Sequence, residues 1–228
     1  MKKTRKFAVT AAALLAAVMA VGGITAYFSD ADTAANTFTV GKVSLDLQEP
    51  DWEPPTDITP NETITKNPSV YNDGLNDEFV FVEVVMPYEN IITVNDDGTK
   101  KAAADTELFT YTVNSGWTEI ASEKDASAKT VTHRYVYGTS TQCTALAKDA
   151  RTPSLFDSVK FVNAIEDQGL EEASYDIVLN AYGIQTSNVN GGTVKPLEVW
   201  SVIANQDPST AKEAEQVNTD ILNANLVN

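Results

Sequence analysis

The stretch 78-EFVFVEVVM-86 decides the fold. It is apolar except at Glu78 and Glu83, rich in β-branched and aromatic residues, and of strand length rather than helix length. A strand this continuously apolar is expected to be covered on both faces, and Pro87 is expected to end it. Residues 130–137, TVTHRYVY, alternate cleanly. Further strands are expected over 63–66, 69–71, 91–94, 108–113, 117–120, 158–165 and 174–184. Turn formers punctuate them: Asn72-Asp73-Gly74, Asn95 to Gly98, Asn114-Ser115-Gly116 and 188–193. Residues 122–129 read as a polar hairpin tip and 100–105 as a solvated loop or short helix. Residues 140–148 are ambiguous, and 194–200 are too short to assign.

Toward the N-terminus, Phe38, Val40, Val43, Leu45 and Leu47 alternate with polar residues, with a bulge at Gly41-Lys42. Residues 48–59, QEPDWEPPTDIT, form a Pro-rich acidic connector. One clean helix signal lies at the far end: Asp207 can N-cap, Pro208 sits at N1, and Ala211, Ala214, Val217, Ile221 and Leu222 recur at helical spacing. About ten strands against one good helix imply a mainly β protein. The expected fold is a jelly-roll-like antiparallel β-sandwich over 38–228, with few peripheral helices and the C-terminal helix.

The first residues have a different character. Lys2, Lys3, Arg5 and Lys6 precede an uncharged Ala/Leu/Val-rich run, then Gly22-Gly23 and small residues. That is the pattern of a secretory signal peptide over 1–27, followed by a polar arm over 28–37. The competing reading is a transmembrane anchor, since the uncharged run from Phe7 is long enough to span a bilayer. Its Ala-rich composition, the Gly pair and the absence of a basic stop-transfer cluster favour cleavage. Removing residues 1–27, with four basic residues and no acid, takes the formal charge from −16 to −20. Such a surface repels nucleic acid and anionic lipid.

The join GGITAYFSDADTAANTFTVGKVSLDL resembles the cleavage region of the TasA/camelysin family of Gram-positive bacteria. The matching elements are Gly22-Gly23, Ala26-Tyr27, Phe28-Ser29-Asp30, Asn36-Thr37-Phe38 and 41-GKVSLDL-47. The resemblance implies processing between Tyr27 and Phe28 by a SipW-type signal peptidase. It also implies a place in the extracellular matrix or on the cell surface. TasA-like members form biofilm-matrix fibres, in which an N-terminal arm can add as a strand to another copy. Here that arm comprises Phe28, Ser29, Asp30, Ala34 and Asn36 and leads into Phe38. The implied partners are further copies of the chain and the peptidase. No sorting motif, apolar tail or lipobox cysteine suggests a membrane anchor after cleavage.

Camelysin-like members are described as metalloendopeptidases, so a second reading is a secreted protease. Hydrolytic zinc sites draw on about three protein ligands, usually including His. This chain has one, His133, and no HExxH. His133 reads as an exposed or half-buried strand residue, and its replacement by alanine is expected to leave the fold largely unchanged. No catalytic residue, cofactor or metal ligand is assigned. Weak calcium binding is conceivable at 72-NDGLNDE-78 or 95-NDDG-98, which read more readily as turns. The lone Cys143 excludes an internal disulfide and reads as a small buried residue. A third reading, a monomeric adhesin or binding module, would use the aromatics Trp52, Trp117, Tyr135, Tyr137, Tyr175, Tyr182 and Trp200. The expected function is a structural fibre protein rather than an enzyme.

Overall fold

A computed structural model describes residues 43–55, 58–171 and 173–205. The expected C-terminal helix beginning at Asp207 and the arm residues lie outside these. The described part is mainly β: eleven strands and one helix, with every strand pairing antiparallel. In chain order the strands are β1 (Leu45–Gln48), β2 (Thr63–Thr65), β3 (Ser69–Asn72), β4 (Glu78–Ile91), β5 (Ala104–Glu107) and β6 (Phe109–Tyr111). They continue with β7 (Trp117–Asp125), β8 (Thr130–Tyr137), β9 (Ala145–Leu146), β10 (Ser158–Phe161) and β11 (Val178–Gln185). The helix is α1 (Pro196–Ala204).

The main sheet runs β11-β4-β8-β7, with β5 and β9 also paired to β4. A three-stranded sheet runs β2-β10-β6, and β1 pairs with β3. Strand β4 organises the molecule, as its composition demands. Val80, Val82, Val84 and Met86 face a core shared with Ile64, Phe109 and Val159 of the three-stranded sheet. Phe79 and Phe81, of opposite parity, enter a second core with Val136, Ile184 and Val199 of α1. Both faces of β4 are therefore covered.

Pro87 does not end β4. It pairs with Thr130 at the limit of the β8 ladder, and β4 continues to Ile91 with a new partner, β5. The proline stands where β4 exchanges partners, so its missing N–H falls at a break between ladders. The carbonyl of Pro87 still accepts from the Leu108 N–H at 2.9 Å. This continuation also corrects the expectation for residues 100–105. Ala104 and Asp105 open β5, because the far end of β4 offers them an unpaired edge. Of the expected strand 91–94, only Ile91 belongs to β4; Thr93 and Val94 make isolated bridges to Ala164 and Lys100. The hairpin tip is shorter than expected, since β7 keeps its ladder with β8 to Asp125.

Helix α1 occupies residues that the sequence left unassigned. Pro196 starts it, Glu198 lies in its first turn, and Val199, Val202 and Ile203 place one stripe against the sheet. Its Trp200 lies over the Arg134 guanidinium at 4.0 Å and edge-on to Tyr182 at 5.1 Å. Beneath it, Glu83 Oε1 accepts from Arg134 Nε at 2.9 Å and Nη2 at 2.7 Å, while Oε2 accepts from the Tyr182 hydroxyl at 3.0 Å. The one acid inside the apolar half of β4 is thus matched by the one Arg of β8, which is its register partner.

Candidate functional site: a groove beside two strand edges

Strand β6 ends the three-stranded sheet and β7 ends the main one; neither has a further strand partner among the described residues. Between β6, β5 and the β7–β8 pair opens a groove of about 840 Å³. Phe109, Tyr111, Phe161 and Val162 supply apolar lining, and Glu119, Lys124 and Lys160 line it with charge. A bulge between Glu119 and Ala121 shifts the β7 register.

Three strands meet in this groove at His133 of β8. Its Nε2 lies 2.9 Å from Glu107 Oε2 of β5, and its Nδ1 lies 2.8 Å from Glu119 Oε1 of β7. The imidazole stands edge-on to Tyr111, whose hydroxyl is 2.9 Å from that of Tyr135. The carboxylate of Glu107, followed by that of Glu119, raises the His133 pKa to about 9 against the opposing effect of burial. The ring is an imidazolium at neutral pH and donates from both nitrogens. Burial raises the Tyr111 pKa and takes that of Tyr135 to about 12, so both phenols stay protonated.

His133 is half-buried on its strand, as expected, and its two carboxylate partners predict a cost for replacing it. Its folded pKa lies above the ordinary value near 6.5. Its contribution is therefore fully present below about pH 6.5 and is lost as pH rises through about 9. Glu107 and Glu119 remain 33% and 44% exposed, so solvent screening reduces the contribution to about 2 kcal/mol. Urea denaturation is expected to find His133→Gln less stable by that amount at pH 6, with the gap closing above pH 9. A gap unchanged across this range would contradict the charged clamp.

The other sequence candidates fall elsewhere. Tyr27, Phe28, Ser29, Asp30, Ala34, Asn36 and Phe38 lie outside the described residues. The acidic turns use their side chains locally: Asn72 Oδ1 accepts from the Gly74 N–H, and Asp97 Oδ1 from the Thr99 N–H and hydroxyl. The aromatics do not gather into one platform. Trp52 lies under Lys66, Trp117 packs on Tyr137 and donates to the Pro153 carbonyl, and Tyr182 and Trp200 meet under α1. Cys143 is buried, and burial raises its pKa to about 11. The groove itself was not visible in sequence, because Glu107 and Glu119 reach His133 only through strand pairing. The alternation of β7 and β8 was the available signal, since it sets Glu119 and His133 on one face.

A protein-family model described as camelysin metallo-endopeptidase matches residues 1–169. No curated protein and no solved structure matches the chain. The matched stretch contains β1 to β10 and ends before β11 and α1. Both nitrogens of the chain's one His face carboxylates on opposite sides of the ring, so Glu107 and Glu119 cannot converge with it on one ion. Among the described residues no three His, Cys, Asp or Glu side chains form a group able to hold a metal. These residues do not fit a catalytic zinc centre, and no hydrolytic step is derived from them. No helix among the described residues is long and apolar enough to cross a membrane.

Proposed function

We propose, for a chain that belongs to the TasA/camelysin family, a structural role as an exported protein of the extracellular matrix. The leader is removed between Tyr27 and Phe28 by a SipW-type peptidase, and the freed arm adds as a strand to another copy. The observation that carries this reading is the groove beside the unpaired edges of β6 and β7. An added strand there finds main-chain partners on an edge and alternate side-chain sites along the groove. Arm and acceptor are different surfaces, so the contact is heterologous and propagates as an open filament. No cofactor is needed. Calcium or salt promotes the contact by screening the formal charge of −16, or −20 after cleavage. Electron microscopy of residues 28–228 tests the reading: filaments are expected, and monomers under all salt, acid and calcium conditions would favour a monomeric adhesin instead.

The description attached to the matching family model favours a second reading, a metalloendopeptidase. The geometry of His133 argues against it. Purified protein is expected to leave casein uncleaved with or without added zinc. Cleavage that a chelator abolishes and zinc restores would establish the peptidase reading.

A further inference from the structure

Strand β1 is the first described strand, and Leu45 and Leu47 pack it against the core. It has a four-residue ladder with β3, from Leu45↔Asn72 to Gln48↔Ser69. Leu45 lies over Gly183 of β11. The Ser44 N–H donates to Glu78 Oε1 at 3.1 Å.

Glu78 is the anomaly of the core. It is 0% exposed, and its Oε2 has no hydrogen-bond partner among the described residues. Among the described residues its surroundings offer no cation. Ser44, just before β1, and Leu45 face it; Gln185 of β11 and Leu146 of β9 are its register partners. The Asn72 side chain of β3 is engaged with the Asn76 and Leu146 carbonyls and the Gly74 N–H. From the loop before β4, Asp73 acts on it with charge of the same sign, and Asp77 accepts from the Lys148 N–H. Space for the carboxyl exists because residue 183 is glycine. A Cβ there would lie 2.7 Å from Glu78 Oε2 and 2.7 Å from Leu45 Cδ1. Gly183 does not have a positive φ, so the requirement is for room, not for an unusual backbone.

We propose that Glu78 is a proton-operated latch on β1. With its proton, the carboxyl rests in the Gly183 notch, and Ser44 and Leu45 close over it. Without the proton, a buried charge with no counter-ion among the described residues draws toward water, and the chain loosens at Ser44 and the start of β1. Burial raises the Glu78 pKa above the carboxylate range, the Ser44 bond lowers it in part, and Asp73 raises it again. The latch is therefore fully closed below the unfolded value near 4.5 and opens as pH rises through the folded value. Acid fastens the strand that follows the N-terminal arm. Any consequence for assembly rests on the filament reading above; the latch itself does not.

Amide hydrogen exchange over residues 44–48 of the purified protein tests this, after correction for the intrinsic pH dependence of exchange. Protection is expected to fall by about tenfold for each pH unit between the unfolded value near 4.5 and the folded pKa, and to level off above it, while β8 amides hold. Glu78→Gln is expected to show at pH 8 the protection that the unaltered protein shows at pH 5. Gly183→Ala, which crowds both Leu45 and the carboxyl, is expected to show low protection of β1 at both pH values with β8 still protected. Corrected protection that is equal at the two pH values, or a Glu78→Gln curve that follows the unaltered one, would overturn the latch. If Glu78→Gln does not fold, the pH curve of the unaltered protein and Gly183→Ala decide. Filaments are not read in this experiment, so its failure leaves the filament proposal standing, and the reverse holds.

Discussion

Deleting residues 28–37 is expected to abolish filament formation and leave a folded, soluble monomer. Strand addition needs a donor segment, an acceptor edge and side chains in phase with the pockets they fill. The deletion removes only the donor. Both apolar cores described above are assembled from residues between Leu45 and Ile203, so the stability of the monomer should change by no more than about 1 kcal/mol. Urea denaturation and electron microscopy read the two effects separately. Ala34→Pro is expected to weaken assembly in the same direction, because it removes an N–H from the middle of the arm. Salt, acid or calcium should favour filaments of the undeleted chain by lowering repulsion between acidic subunits. Filaments of the deleted protein with the same morphology would show that the arm is not the donor.

The largest expected effect on folding belongs to Glu83→Ala. Glu83 is 9% exposed and accepts from Arg134 and from the Tyr182 hydroxyl beneath α1. Removing it leaves the Arg134 guanidinium under Trp200 with Glu123 as its carboxylate neighbour, at 3.7 Å. Truncating one member of a largely buried ion pair strands the other, at a cost of about 3 kcal/mol. Glu83→Gln keeps an acceptor oxygen for Arg134, with its amide N–H turned to the Tyr182 hydroxyl oxygen, and is expected to cost less. Urea denaturation of the two variants measures the order. A cost below about 1 kcal/mol for Glu83→Ala would mean that Arg134 reaches solvent by rotating away from Trp200.

Local pattern was enough for β4 and β8. The run of Val and Phe at 79–86 could be satisfied only with apolar cover on both faces, and TVTHRYVY has the strict alternation of a half-covered strand. Pro87 was misleading for a physical reason. The rule that proline ends a strand assumes one continuous partner, whereas β4 changes from β8 to β5 at that residue. Strand β5 was illegible because ADTE has weak β propensity, and its ladder with Tyr88 to Ile91 is a tertiary fact. Helix α1 carries a local signal of its own: Pro196 at the first position, acidic Glu198 after it, and Val199, Val202 and Ile203 on one stripe.

The site was less legible than the fold. His133 is separated from Glu119 by one hairpin and from Glu107 by a longer excursion, and nothing in composition says that both carboxylates reach it. Periodicity places Glu119 and His133 on a common face, but the bulge between Glu119 and Ala121 alters the register that would align them. Glu78 was hidden in a different way. Its burial depends on Leu45 and Gly183, which come from distant parts of the chain.

The most direct test of the central proposal is a helical reconstruction by electron cryomicroscopy of filaments formed by residues 28–228. The expected result is that residues 28–37 of each subunit lie as an added strand in the neighbour's groove, beside β6 or β7 and close to Tyr111 and His133. Filaments in which the arm folds back on its own subunit, or in which that groove stays empty, would contradict it.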